Sequence, residues 1–257
     1  MHTFKGSWFT FEKFWTWYRR NWRSTAVSSF LTPVLFLLAL GFGFGSQVQS
    51  TALIGGVSYL EYLAPALVVV TAIQGATFES TYPVLSQFMW QKSFIAMVAT
   101  PITPAQVLYG QMMWVGSQLA VRSVVFVIIA VVLGAAAGPG ILLSVVFATL
   151  AALAFSAPLV AYSATLEKPD GFTTIFRFVL MPMTLFTGAF FPVSQLPDWL
   201  VPLVWLTPSW HGIELARGTT FGTIGLLPAL GHIAYLAALT AGGIALGVKF
   251  FNRRLAV

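Results

Sequence analysis

The chain has 257 residues, 58% of them hydrophobic and 8% charged, against roughly 25% charged in soluble domains, so lipid must cover much of its surface. The net charge of +6 does not point to nucleic acid, because Lys and Arg gather at the chain ends and form no continuous face; in a membrane protein that is a topology signal. The absence of cysteine excludes disulfides, thiolate metal sites and cysteine nucleophiles.

In residues 1–25, Trp8, Phe11, Trp15, Tyr18 and Trp22 recur at spacings of three and four and fall in one arc of roughly 80° on a helix. Lys5, Glu12, Lys13, Arg19, Arg20 and Arg23 occupy the neighbouring arc. This predicts an amphipathic helix in the headgroup layer, aromatic side down; the competing reading is a solvated charged leader. The first apolar run begins near Ala26, is as long as a full span and has no small-residue cleavage site behind it, which predicts a retained helix rather than a signal peptide.

A spanning helix needs about 20 mostly apolar residues. Six segments qualify: Ala26–Gly45, Leu60–Pro83, Ala105–Leu133, Ile141–Leu166, Thr173–Phe191 and Pro228–Phe250. The runs are continuous rather than alternating, which favours helices over a barrel. Both basic ends are expected in the cytoplasm, the C-terminal one carrying Lys249, Arg253 and Arg254. Loops Ser46–Tyr59 and Gly134–Gly140 carry no charge, as expected outside.

Residues 84–104 form the first inner loop, with Lys92 and then Thr100-Pro101-Ile102-Thr103-Pro104. It has too few charges for a free cytoplasmic segment. Two readings stand: a protein partner covers Phe88, Trp90 and Phe94, or these residues lie against the inner membrane face. A second inner loop holds Glu167, Lys168 and Asp170.

Charges inside spans cost roughly 2.5–3.5 kcal/mol at the centre, so each needs a reason. Arg122 lies well inside the third span, Glu79 near the inner end of the second and Glu61 at its start. For Arg122 the readings are a place on the transport path or a helix interface, against a structural ion pair or snorkelling. Arg177 is expected to snorkel to the inner headgroups.

Residues 192–227 are too long for a turn and too apolar for a loose loop. They hold Trp199, Trp205 and Trp210, with Pro197, Pro202 and Pro208 breaking any long helix. Two short helices dipping into the outer leaflet are expected; an outer cap with no part in transport is the alternative. His211 and Glu214 share a helical face, with Glu214 near Arg217, and read as polar anchoring. A metal site needs more ligands than His2, His211 and His232 supply.

The sequence has no P-loop, no G-x-S-x-G elbow and no H-E-x-x-H helix, so it is not expected to hydrolyse ATP alone or to act as an intramembrane enzyme. No internal repeat of the kind found in secondary transporters is evident, which points to a pathway built between two chains. The reading is an all-α integral membrane protein: one transmembrane domain over residues 1–257, with six transmembrane helices, an N-terminal interfacial helix and a short re-entrant helical hairpin between the fifth and sixth spans.

Several stretches carry a resemblance. They are Tyr62-Leu63-Ala64-Pro65, Ala76-Thr77-Phe78-Glu79-Ser80-Thr81, the loop with Trp90, Lys92 and Ala99-Thr100-Pro101-Ile102-Thr103, and Gly110-Gln111-Met112-Met113-Trp114. The strongest runs from Phe186-Thr187-Gly188-Ala189-Phe190-Phe191-Pro192 to Pro197 and continues through Pro208, His211 and Arg217. In order and spacing the chain resembles ABC-2 type permeases over nearly its whole length, most closely the NodJ-type lipo-oligosaccharide export permeases. It departs from them at Ala66, where the family often has glycine, and at Gln111, where it often has an acid; the second weakens any transfer of substrate.

The resemblance implies a homodimer or heterodimer of six-helix subunits in a bacterial plasma membrane, bound to two copies of a P-loop ATPase. ATP and Mg belong to that partner, and no cofactor is expected on this chain. It implies that the interfacial helix and the loop, through Phe88, Trp90, Lys92, Phe94, Ala99 and Thr100, couple to the ATPase. It also implies an outward path between subunits for lipo-oligosaccharides, lipid-linked glycans or drugs. Phe178, Met181, Thr184 and Leu185 are expected to face the partner, with Thr187 and Gly188 at a constriction, against ordinary lipid-facing or core packing. A stand-alone channel or secondary transporter is the rival; it would need a polar path, and only Arg122, Glu61 and Glu79 are available.

Overall fold

The computed structural model describes residues 2–44 and 56–256. Among these every regular element is helical. Helix α1 (His2–Phe36) runs without a break into a π-helical stretch, Leu37–Phe44. The expected interfacial helix and the start of the first span are therefore one continuous helix. Gly45 and most of the Ser46–Tyr59 loop lie outside the described residues.

Helix α2 (Tyr59–Ser80) starts at a reciprocal cap: the Ser58 side chain accepts from the Glu61 backbone N–H, and the Glu61 carboxylate accepts from Ser58. That satisfies two of the orphan amides at a helix start. It also explains why Glu61 sits at the head of an apolar helix. α2 is mostly apolar and buried along most of its length, the pattern of a helix encased by others. It packs on α5 (Pro104–Val132), α6 (Leu143–Ser163) and α10 (Pro208–Thr220). A second reciprocal cap, Thr103 with Gln106, opens α5 just after Pro101.

Between α2 and α5 lie two short helices, α3 (Tyr82–Met89) and α4 (Ser93–Val98). After α6 come α7 (Asp170–Ile175), a π-helical turn Phe176–Leu180 and α8 (Met181–Phe186). Residues 170–186 are helical throughout, about 25 Å at 1.5 Å per residue. The expected fifth span, Thr173–Phe191, thus ends five residues early, because Gly188 turns the chain with φ +84°. The 192–227 stretch forms α9 (Val201–Trp205) and α10, and α11 (Leu226–Leu255) closes the chain.

Tyr59–Met89, Pro104–Val132, Pro139–Ser163 and Leu226–Leu255 are long and apolar enough to cross a membrane. The bundle has two distinct ends. The basic end gathers the first half of α1, α3, α4 and the end of α11; the opposite end gathers the starts of α2 and α11 with α9 and α10.

Candidate functional site

At the basic end, Phe88, Phe94 and Phe251 form a ring cluster with centroids 4.9, 5.0 and 5.6 Å apart. Phe88 and Phe94 are buried. This corrects the expectation that an outside partner covers them, since the chain's own C-terminal helix does so. Arg254 lies over the Phe88 ring at 4.3 Å and donates to the carbonyls of Ser163 and Ala164, fastening the cluster to α6. The rest of the loop faces out: Trp90 is 63% exposed, and Lys92, Ile95, Ala99 and Thr100 are exposed. Lys92 adopts φ +51° between α3 and α4, a left-handed conformation uncommon outside glycine. The loop is a ridge with a tryptophan and a cation on its crest.

The first half of α1 docks on α5. Phe11, Phe14 and Tyr18 surround Trp114 at 6.0, 5.9 and 5.6 Å, and Ser7 and Thr10 are buried. Trp8, Trp15 and Trp22 face out. The aromatic stripe of the sequence is therefore divided: Phe11 and Tyr18 turn into the bundle and the tryptophans turn away. Lys13 Nζ donates to Gln87 Oε1 and, at 2.7 Å, to Ser93 Oγ, tying α1 to α3 and α4. Burial brings its ammonium down to about 8, because the charged form is the one that loses solvation.

Along α7–α8, Phe178 (75%), Met181 (62%) and Leu185 are exposed and form an apolar face. Thr184 is half-buried and donates to the Leu180 carbonyl. Thr187 is buried and hydrogen-bonds Ser209 Oγ at 3.0 Å. The carbonyls of Gly188 and Ala189 accept from the Arg217 guanidinium, which also donates to the Tyr62 carbonyl and lies 3.7 Å from the Tyr62 ring centre. Arg217 thus staples the turn after α8 to the start of α2. Glu214 does not come within ion-pair distance of it.

Arg122 pairs with Glu79 at 2.6 Å, the one ion pair among the described residues. Of the readings open for Arg122, the geometry is that of an ion pair between α2 and α5. His211 Nδ1 lies 2.7 Å from His232 Nδ1, and its Nε2 is 2.9 Å from the Trp205 carbonyl. This joins α10 to α11, so His211 faces His232 rather than open water. Sequence reasoning left Lys13, Gln87 and His232 without partners. A signal for the α1 docking was present in Ser7 and Thr10, small residues three apart facing Gly110.

These features define an all-helical membrane protein with an exposed inter-helix ridge at its basic end and an apolar exposed face along α7–α8. The ABC-2 type transporter family matches residues 8–221, and the chain belongs to that family; it is a transmembrane transport protein. It is similar to Nodulation protein J of Sinorhizobium fredii, 30% identical over 251 residues that cover 94% of both chains. Nodulation protein J of Rhizobium leguminosarum bv. viciae is 30% identical over 212 residues, 80% of this chain and 81% of the other. That of Rhizobium meliloti is 27% identical over 255 residues, 94% of both.

Proposed function

We propose that this chain is the membrane subunit of an ATP-driven exporter for a lipidic or amphipathic substrate: a lipo-oligosaccharide, a lipid-linked glycan or a drug. The family match across residues 8–221 carries the reading. A separate P-loop ATPase, two copies per complex, binds ATP and Mg and supplies the energy; this chain contributes no catalytic group. It works as a homodimer or heterodimer in a bacterial plasma membrane, with both termini cytoplasmic.

The six-span count is supported by the four long apolar helices, the continuous helix of residues 2–44 and the helical run of residues 170–186. Residues 1–257 act as one transmembrane domain. Residues 1–25 lie at the inner headgroup level, 84–104 contact the ATPase, and 192–227 dip into the outer leaflet as α9 and α10. Trp90, Lys92, Ala99 and Thr100 meet the ATPase directly, while Phe88 and Phe94 carry its push into α11 and α6. ATP binding favours one of two arrangements through differential contact. Phe178, Met181, Thr184 and Leu185 line the cleft between subunits, with Thr187 and Gly188 framing its upper end.

Coupling is tested with the purified complex of this chain and the P-loop ATPase that the reading calls for. Trp90→Ala with Thr100→Ala is expected to cut substrate-stimulated ATP turnover at least fivefold while leaving membrane insertion intact. Lys92→Gly, which removes the charge but suits the left-handed backbone, separates a contact defect from a folding defect. Full stimulation in well-inserted variants counts against the assignment. Export without any ATPase would instead support the stand-alone carrier.

A further inference from the structure

Between α1, the α2–α3 corner and the start of α5 lies a pocket of about 760 Å³, within the roughly 300–1,000 Å³ of small-molecule sites. Its charges are unevenly satisfied. Lys13 rests on two neutral oxygens, those of Gln87 and Ser93, and no carboxylate comes within ion-pair distance of it among the described residues. Arg20 lines the same pocket, and the acid that lines it, Glu79, is already held by Arg122. The pocket therefore has a net positive field in a partly desolvated setting, where charge interactions are strong.

Its polar wall is also incomplete. Gln111 lines the pocket and is 2% exposed, yet its Oε1 has no hydrogen-bond partner among the described residues. A buried acceptor left unpaired costs about 1–3 kcal/mol, and a ligand hydroxyl would recover that. Trp17 and Trp90 also line it; indole faces suit the C–H face of a sugar or glycerol, and such amphipathic rings favour membrane interfaces.

We infer that this pocket binds the anionic, hydroxyl-bearing headgroup of an amphiphile, with Lys13 and Arg20 on the charge and Gln111 accepting from a hydroxyl. The binding itself stands on the pocket; that the amphiphile is cargo rests on the exporter reading. Two sources share this chemistry, a phosphorylated glycolipid and a bilayer lipid such as phosphatidylglycerol.

The test uses the full chain in phosphatidylcholine nanodiscs, without ATPase, so that its failure leaves the exporter reading untouched. Thr16, exposed at the pocket edge, is replaced by cysteine in this cysteine-free chain and carries an environment-sensitive dye. Octyl glucoside 6-phosphate, octyl phosphate and octyl glucoside are titrated. The phosphorylated glucoside is expected to bind at least tenfold more tightly than either simpler probe. Lys13→Gln should weaken both phosphate probes about tenfold and leave octyl glucoside unchanged, with Lys13→Arg restoring them. Gln111→Leu should weaken the two glucosides several-fold and spare octyl phosphate. Equal affinity for all three probes, or losses in the variants that do not follow the headgroup, overturns the inference. Competition from phosphatidylglycerol in the disc assigns the site to bilayer lipid, and its absence assigns it to a glycolipid; both outcomes uphold the headgroup chemistry.

Discussion

Lys13 carries a charge that the fold partly strips of water and supplies with neutral partners only. The sign of its pH dependence follows. Its amine loses its proton near pH 8 when the pocket is empty, and a bound anion holds that proton more tightly. Affinity for octyl phosphate should therefore be flat just below pH 8 and fall as pH rises above it, by up to about tenfold per unit, until the bound form also deprotonates. Arg20 lines the same pocket, and Glu79 is held by Arg122. Isothermal titration from pH 7 to 10 reads this directly; Lys13→Arg should abolish the fall, and a persistent fall would place the titrating group elsewhere.

Gly188 shows a different kind of constraint. It sits at φ +84°, and a Cβ there would lie 2.8 Å from Val193 Cγ2. Gly188→Ala should cost about 1–3 kcal/mol, through the left-handed backbone and the displaced valine. The turn that Arg217 staples should loosen with it. Thermal stability in detergent, compared with Arg217→Met, checks this; near-identical melting of wild type and Gly188→Ala would contradict the constraint.

At the scale of elements, the attachment of α1 depends on close approach. A Cβ on Gly110 would meet Thr10 Cβ at 2.4 Å and the Ser7 carbonyl oxygen at 2.5 Å. Gly110→Val should lift the first half of α1 from α5. A cysteine placed at Thr10, fully buried in the native helix, should then react with a water-soluble maleimide at least tenfold faster; unchanged reactivity would mean that α1 is held by other contacts. The long apolar helices and the prolines that punctuate them were legible in the sequence, because continuous hydrophobic length is a strong signal. The docking of α1 was not. The aromatic periodicity of Trp8 to Trp22 marks an arc at the edge of the buried face, whose centre is made by Ser7, Thr10 and Phe14, residues of weak hydrophobic signal or apparent isolation. Phe88 and Phe94 were read as exposed because their cover, Phe251, comes from a helix more than 150 residues away. Such pairing leaves no local trace. The Arg122–Glu79 pair was half legible: both charges stood out in apolar surroundings, but only the packing of α2 on α5 brings them together.

At the scale of the whole molecule, two of the exposed surfaces bear on the proposed function. One is the ridge at Trp90; the other is the α7–α8 face with Phe178, Met181 and Leu185. Under the proposed function the second is the contact or cleft between two subunits. Met181→Cys should give an intersubunit cross-link in native membranes, and the cross-link should diminish when substrate occupies the cleft. Labelling by lipid-dissolved reagents alone, with no cross-link under oxidising conditions, would turn that face towards lipid.

The central claim is that this chain moves an amphiphile only when a separate ATPase drives it. Inverted vesicles containing the chain with the proposed P-loop ATPase partner should accumulate a fluorescent lipo-oligosaccharide on addition of ATP and Mg. Accumulation should vanish when the ATPase is omitted or its P-loop lysine is replaced. ATP-dependent accumulation that disappears in both controls is the predicted result; equal accumulation with the chain alone would contradict the account.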